Sequence, residues 1–349
     1  MSKILLRDKI PVAVVPIVKF RKAQGLLSKY IDRKYRVAFS DLKAFFPISE
    51  HIPSHIMTKL QDIGVHFDHL PSHHLPLKTV PLSLKLLEKK YGLPLPKSIN
   101  LIGDILTINE LPGGCEGKED TIGRILRSNF GVRAVFLKSQ KFDGVSRVAR
   151  WIKLCGWGDT FTLHRESGCM FALDISKVFF NPRLSQERIR IAGKVKDNET
   201  IIDMFAGVGS FGIIIGKKRL VHLYAIDINP HAVEFMRINT ILNKVHLEVL
   251  LGDARERILD IKENADRIIM NYPEASLSFL DLALQKIKKP GTIHVYLFVT
   301  NGNIQSARDN IESIIRTKLG EEINITVDYR IVSEVAPYKF LVCYDALIA

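Results

Sequence analysis

At 349 residues, with 46% hydrophobic side chains and a mean hydropathy of +0.08, the chain can bury two or three cores, and no apolar run of about 18 residues offers a membrane-spanning helix. Four cysteines without C-x-x-C spacing, Cys115, Cys155, Cys169 and Cys343, argue against a disulfide frame or a zinc site and for reduced thiols in the cytoplasm. The net charge of +13 is lopsided: residues 1–180 hold 28 Lys and Arg against 16 Asp and Glu, the remainder 22 against 21, a footprint expected when the substrate is a polyanion.

The opening "MSKILLRDKIPVAVVPIVKFRK" starts basic, but charge interrupts its apolar part and no small-residue cleavage site follows, so no signal peptide is expected. Residues 1–70 mix short strands and helices, a small α+β domain closing in the linker "HFDHLPSHHLPLKTVPL". His66, His69, His73 and His74 crowd that linker. Two of them fall beside prolines in what reads as a flexible loop, and no metal is expected there. Residues 75–180 read as a second α+β domain, with a strand "INLIGDILTINE", an amphipathic helix "DTIGRILRSNF" and the basic series Lys138, Lys141, Arg147, Arg150, Lys153. Phe142, Trp151 and Trp157 interleave with those charges, a pattern that suits single-stranded RNA, where phosphates need cations and splayed bases need a stacking surface. The same rings serve equally as core.

Residues 181–349 read as alternating strands and helices. Strands are predicted at 200–205, 222–228, 246–251, 265–271, 291–299, 323–331 and 339–347. The turn around "SEVAPY" is too short for a crossover helix, which makes the last two an antiparallel hairpin on an otherwise parallel sheet. The first strand runs into "TIIDMFAGVGSFG", where Gly207, Gly209 and Gly212 spell G-x-G-x-x-G. That pattern alone is weak, and an NAD-binding Rossmann unit is the alternative. Asp203, however, sits four residues ahead of Gly207. A carboxylate there repels a pyrophosphate and suits a ligand with a positive centre and an amino-acid moiety, as in S-adenosylmethionine. Glycines let backbone approach it closely. Asp227, 24 residues on, ends the next strand where a carboxylate grips ribose hydroxyls, and Asp253 follows a third strand, within reach of an adenine edge.

Two segments carry a resemblance: "TLHRESGCMFALDISKVFFNPRLSQERIRIAGKV", and the run from "DMFAGVGSF" through "YAIDINPHAVEFMRINTILNKV" to "IIMNYPEASLSFLDLAL". Together they resemble the archaeal and eukaryotic tRNA (guanine-N1)-methyltransferases that act on guanosine 37, beside the anticodon, from about Ile102 to the end; residues 1–70 resemble the family's N-terminal domain only in position and size. The resemblance implies a class I, Rossmann-like, seven-stranded α/β methyltransferase domain behind two smaller α+β domains, a cytoplasmic monomer, S-adenosylmethionine as cofactor and the tRNA anticodon loop as partner, with no metal or membrane. It implies Glu187 as the general base for the guanine N1 proton, Arg147 as the cation for negative charge at O6, and Asn271 and Pro273 of "NYP" as shapers of the base site. Arg188, Asp203, Phe205, Gly207, Gly209, Asp227, Ile228, Asp253, Ala254 and Asn271 fall to the cofactor, and Lys138, Lys141, Arg150, Arg183 and Tyr272 to the substrate. Two departures stand out: Ser210 where the family has Pro, and Tyr272 where it has Leu. The second opens a wyosine-pathway alternative, methylation of the tricyclic base or aminocarboxypropyl transfer; an RNA-binding protein without catalysis is the more distant one.

Overall fold

The computed structural model describes residues 9–49, 51–143 and 148–349. The chain divides into two compact units: the first runs to Arg165 and takes in Met170–Pro182, and the second comprises Glu166–Cys169 and Arg183–Ala349.

In the first unit, β1 (Lys9–Pro16), β2 (Ala38–Ser40), β3 (Lys43–Pro47) and β4 (His66–Pro71) form an antiparallel sheet in the order β2-β3-β1-β4, with helices α1 (Phe20–Leu27) and α2 (Ser54–Gln61) between its strands in sequence. The linker expected over "HFDHLP" is therefore a strand. Its polar residues hide it, but the apolar centre of β1 needs a partner on each side, and β4 supplies the second. Past α3 (Leu84–Tyr91), a second sheet joins β5 (Ile99–Ile102), β6 (Ile105–Ile108), β7 (Ala134–Asp143) and β8 (Val148–Gly156). Helix α4 (Glu119–Phe130) links β6 to β7, so that pair alone is parallel. It buries Ile122 and Leu126 with Leu106, Ile108 and Val135 and stops at Gly131, whose φ of 57° is left-handed. Next come β9 (Phe161–Glu166) and β10 (Cys169–Asp174), a two-stranded sheet whose turn residues Ser167 and Gly168 both have positive φ.

A buried ion pair joins these pieces of the first unit. Arg133 is fully buried; its Nε donates to Asp104 Oδ2 at 2.9 Å, and its other nitrogens donate to the carbonyls of Trp157, Asp159 and Phe161. Asp104 also accepts from the Phe39 amide in β2 and from the Thr162 hydroxyl.

The second unit opens with α5 (Ser185–Lys194) and carries a seven-stranded sheet: β11 (Thr200–Asp203), β12 (His222–Asp227), β13 (Glu248–Leu251), β14 (Ala265–Met270), β15 (Ile287–Thr300), β16 (Ile325–Ala336) and β17 (Lys339–Ile348). Its order is β13-β12-β11-β14-β15-β17-β16, parallel except at β17, which runs antiparallel to both β15 and β16. Helices α6 (Ser210–Lys218), α7 (Pro230–Asn243), α8 (Ala254–Asp260), α9 (Leu280–Lys286) and α10 (Ile304–Leu319) make the crossovers. Every residue of β11 is buried, as a central parallel strand requires. This is the class I methyltransferase plan with its terminal antiparallel hairpin. The chain moves outward through β12 and β13, then returns to β14 on the other side of β11, so the topological switch point lies where β11 and β14 end. Among the described residues no helix is long and apolar enough to cross a membrane.

Arg133→Ala should destabilise the protein by about 3–5 kcal/mol, because it leaves the Asp104 carboxylate buried beside empty space. Equilibrium urea unfolding checks this; a loss below about 1 kcal/mol would show that the pair is not what joins the pieces.

Candidate active site

The switch point collects most of the residues that the sequence singles out in the second unit. Asp203, the last residue of β11, is 1% exposed. Its Oδ1 accepts from the Phe205 amide at 3.4 Å, while its Oδ2 is buried without a hydrogen-bond partner. Burial pushes this carboxyl up to about 7, with the charge of Asp227 adding to the rise and the Phe205 amide and Arg188 opposing it. Such an atom fits a site built for a positively charged ligand.

The loop that follows has the backbone that its glycines allow. Gly207 has φ 57° and donates its amide to Asp227 Oδ2 at 2.6 Å; Gly209, at φ 81°, precedes α6, and a Cβ there would lie 2.7 Å from Met236 Cγ. Asp227 Oδ1 accepts from the Asn229 amide at 2.9 Å, so two backbone donors fix this carboxylate at the end of β12. Each oxygen keeps acceptor capacity for a ribose hydroxyl. Ile228 beside it is exposed. Asp253 caps α8 by accepting from the Arg255 amide at 2.8 Å and pairs with Arg255 Nη1 at 3.1 Å, and Ala254 is buried behind it. The Arg255 guanidinium also lies 4.4 Å from the centre of the Phe279 ring.

Beyond β14, Asn271, Tyr272 and Pro273 are half-buried. The Tyr272 ring lies 5.1 Å from that of Phe205, which meets Phe279 edge-on at 5.0 Å. Ser276, fully buried, pins the loop: its hydroxyl accepts from the Tyr272 amide at 3.3 Å and lies 2.8 and 2.9 Å from the carbonyls of Met270 and Tyr272. Tyr272 is thus part of an aromatic cluster at the strand ends.

Helix α5 contributes the other side of the site. Arg188 is buried and bound by both oxygens of Glu166, at 2.8 and 2.6 Å, and its charge acts on Asp203. Glu187 is also buried. Arg190 donates to it twice, Nε to Oε2 at 2.8 Å and Nη2 to Oε1 at 2.6 Å, and the Tyr296 hydroxyl donates to Oε1 at 2.7 Å. Burial pushes Glu187 upward, but the hydrogen bonds from Arg190 and Tyr296 outweigh it and hold the carboxyl below its ordinary range. It is therefore ionised throughout the neutral range, and a rate that climbs with pH until this base ionises is not expected there.

The basic residues of the first unit are placed on its own sheet. Lys138 is half-buried on β7, where desolvation lowers its pKa; Lys141 follows in the same strand, and Arg150 is exposed on β8. Arg183, the first residue of the second unit after its return, is exposed in the short helical turn Pro182–Leu184. Arg147 lies outside the described residues. Trp157, offered by the sequence as a stacking surface, is stacked on His74 at 4.9 Å and meets Phe45 edge-on at 5.5 Å, so internal packing takes its ring. Trp151 donates its indole N–H to the Ile175 carbonyl at 2.8 Å.

Sequence reasoning missed Glu166, Arg190, Ser276, Tyr296, His294 and Asp345. Two of them carried a signal: His294 in "TIHVYLF" and Asp345 in "LVCYDALI" are polar residues inside apolar strands. With Cys343, they place potential metal-ligating atoms within 4.8 Å of one another. Those atoms are otherwise engaged, since Asp345 accepts from Arg190, Lys194 and His294, and Arg190 reaches Cys343 Sγ at 3.2 Å. Three cations around the triad, Arg190, Lys194 and Arg267, oppose a metal.

The strand order and the carboxylates at the ends of β11 and β12 and at the start of α8 define a class I methyltransferase. Residues 162–324 match the TRM5/TYW2 methyltransferase domain. Over 253 residues the chain is 37% identical to tRNA (guanine(37)-N(1))-methyltransferase Trm5b of Pyrococcus abyssi, covering 72% of this chain and 74% of the relative. It is 36% identical over 258 residues to tRNA 4-demethylwyosine(37)-methyltransferase Taw21 of Saccharolobus solfataricus, covering 71% of this chain and 93% of the relative. The solved complex of aTrm5 with tRNALeu superposes with a TM-score of 0.66 at 27% identity, over 97% of this chain and 99% of that one. The chain belongs to the TRM5/TYW2 methyltransferase family.

Because the Asp203 carboxyl is raised, it holds a proton below about pH 7, and a ligand with a fixed positive charge must displace that proton. Affinity for S-adenosylmethionine should accordingly rise from pH 6 to 8, by up to about tenfold per pH unit on the acid side, and level off once the group is ionised. Asp203→Asn should bind more weakly and lose this dependence. Calorimetric titrations giving one affinity across that window in the parent would remove Asp203 from beside the charge.

Proposed function

We propose that the protein transfers the methyl group of S-adenosylmethionine to N1 of guanosine 37 in tRNA, acting on the anticodon loop as a cytoplasmic monomer. The observation that carries this reading is the position of Glu187: an ionised carboxylate one residue before Arg188, whose charge acts on the Asp203 of the cofactor loop. Guanine N1 bears a proton, and its lone pair is free to attack only when that proton leaves, so a base is required beside the cofactor.

The cofactor's part is an electrophilic methyl group on a sulfonium centre. Asp203 balances the positive charge, Gly207 and Gly209 keep side chains out of its way, and Asp227 and Asp253 hold its ribose and adenine. Glu187 accepts the N1 proton. Arg147 stabilises the negative charge that then develops at O6. Asn271 holds the base edge, and Pro273 fixes the loop. Lys138, Lys141, Arg150 and Arg183 contact tRNA phosphates, consistent with the charge concentrated in residues 1–180.

A second activity, methylation of the tricyclic wyosine intermediate, is favoured by the aromatic cluster of Tyr272, Phe205 and Phe279, which offers a wide flat base more contact than guanine needs.

Mass analysis of nucleosides from tRNA incubated with the protein and cofactor should show 1-methylguanosine at position 37, and Glu187→Gln should slow single-turnover transfer by roughly 10² or more with cofactor affinity near normal. Methylation of the tricycle alone, or an added aminocarboxypropyl group, would overturn the assignment. Affinity for tRNA should fall by about tenfold or more between about 50 and 200 mM salt, and further on the joint change Lys138→Glu and Arg150→Glu. A salt-independent affinity would remove the phosphate contacts.

A further inference from the structure

The chain of charged groups behind Glu187 is more elaborate than holding one helix on a sheet requires. Arg190 has its guanidinium between two carboxylates. On one edge it grips Glu187 through Nε and Nη2; on the other, Nη1 donates to Asp345 Oδ2 at 2.6 Å and Nη2 lies 3.2 Å from Oδ1. Asp345 has further donors in Lys194 Nζ at 2.7 Å and His294 Nδ1 at 2.6 Å. The His294 proton is assigned by its other neighbour: Arg267 Nη1, which can only donate, lies 2.8 Å from Nε2, so Nε2 accepts and Nδ1 carries the proton. Arg267 is in turn held by Glu199, at 2.9 Å. These partners come from α5, β14, β15 and β17 and the loop before β11.

We propose that Arg190, anchored by Asp345 and acting with the Tyr296 hydroxyl, is the positioning residue that holds the Glu187 carboxylate for the proton transfer. The inference rests on Glu187 being the general base. When Glu187 takes up the N1 proton it becomes neutral, and its attraction for Arg190 drops. A guanidinium held by Glu187 alone would then be released. The two bonds to Asp345 keep it in place, so the base returns to the same geometry once the proton leaves. An arginine suits this double grip because its planar fork meets a carboxylate on each edge, which the single ammonium of lysine does not do.

The charged and titratable groups facing Glu187 are Arg190 from its own helix, Tyr296 from β15, and Cys343 and Asp345 from β17. Burial raises the Glu187 carboxyl, and the donors from Arg190 and Tyr296 reverse that. Weakening the donors therefore moves its titration upward.

The test is the pH dependence of single-turnover methyl transfer at saturating cofactor and tRNA, for the full chain and for Arg190→Lys, Tyr296→Phe and Asp345→Asn, each checked for folding by its thermal transition. Expected are a rate at least about tenfold lower in Arg190→Lys with KM for tRNA and cofactor affinity within about twofold of the parent, and a new acid limb about one pH unit or more higher in Arg190→Lys and Tyr296→Phe. If Arg190→Lys fails to fold, Tyr296→Phe carries the same readout. Unmoved acid limbs in every folded variant, with Glu187→Gln slow, would overturn the positioning role and leave the base assignment intact. Full activity in Glu187→Gln would overturn the base assignment and the positioning role with it.

Discussion

The second unit is organised around a carboxylate that is expensive to bury. Asp203 is carried to the end of a strand flanked on both sides, one of its oxygens lacks a hydrogen-bond partner, and water does not reach it. Burying such a group against nothing is unfavourable unless a ligand answers it. The neighbouring features follow from that need. The loop after Asp203 must pass close to whatever binds, hence Gly207 and Gly209 in left-handed backbone, and that loop must not drift, hence the Gly207 amide tied to Asp227 and the Asn239 amide tied to the Val208 carbonyl. The site is stiff before any ligand arrives, the condition under which fixed dipoles and charges act most strongly.

The same unit buries several further charges, and here each has an opposite. Arg188 has Glu166, Arg190 has Glu187 and Asp345, and Arg267 has Glu199. Paired charges of this kind contribute little net stability, since desolvation offsets the attraction, but removing one partner strands the other. Their effect is geometric: they fix α5, with Glu187 and Arg188 on it, against β14, β15 and β17. Asp203 stands apart: it has one backbone donor, an oxygen without a hydrogen-bond partner and the charge of Arg188 acting on it, and it lies at the switch point of the sheet.

Much of this was legible in the sequence. The strands β11 to β17 stood out because parallel strands buried on both faces read as unbroken apolar runs, and the three aspartates stood out because each closes or follows such a run. What stayed hidden depends on distance along the chain. Arg190 and Asp345 are 155 residues apart, and nothing local to either announces the other. Arg188 and Glu166 are separated by 22 residues, and the chain between them passes through the first unit before returning to the second. In the first unit the reading failed at β4, which has a polar sequence and is a strand because β1 needs an edge; Trp157, left open between a stacking surface and the core, spends its ring on His74 and Phe45.

Both placements have one physical cause, which bears on the basic half. The first unit builds its core from short strands and small apolar clusters, so it also recruits amphipathic side chains, with Arg133 lying over the Trp157 ring at 5.6 Å while its nitrogens satisfy Asp104 and three carbonyls. A cation and an aromatic ring side by side are thus not in themselves a nucleic-acid surface. The residues that separate the two uses are those on β7 and β8: Arg150 is exposed and Lys138 is half-buried, whereas Arg133 is fully buried and held by Asp104. The excess positive charge of residues 1–180 therefore has to be divided before it is interpreted. The share held by internal carboxylates builds the fold, and the exposed remainder is what a polyanion can meet.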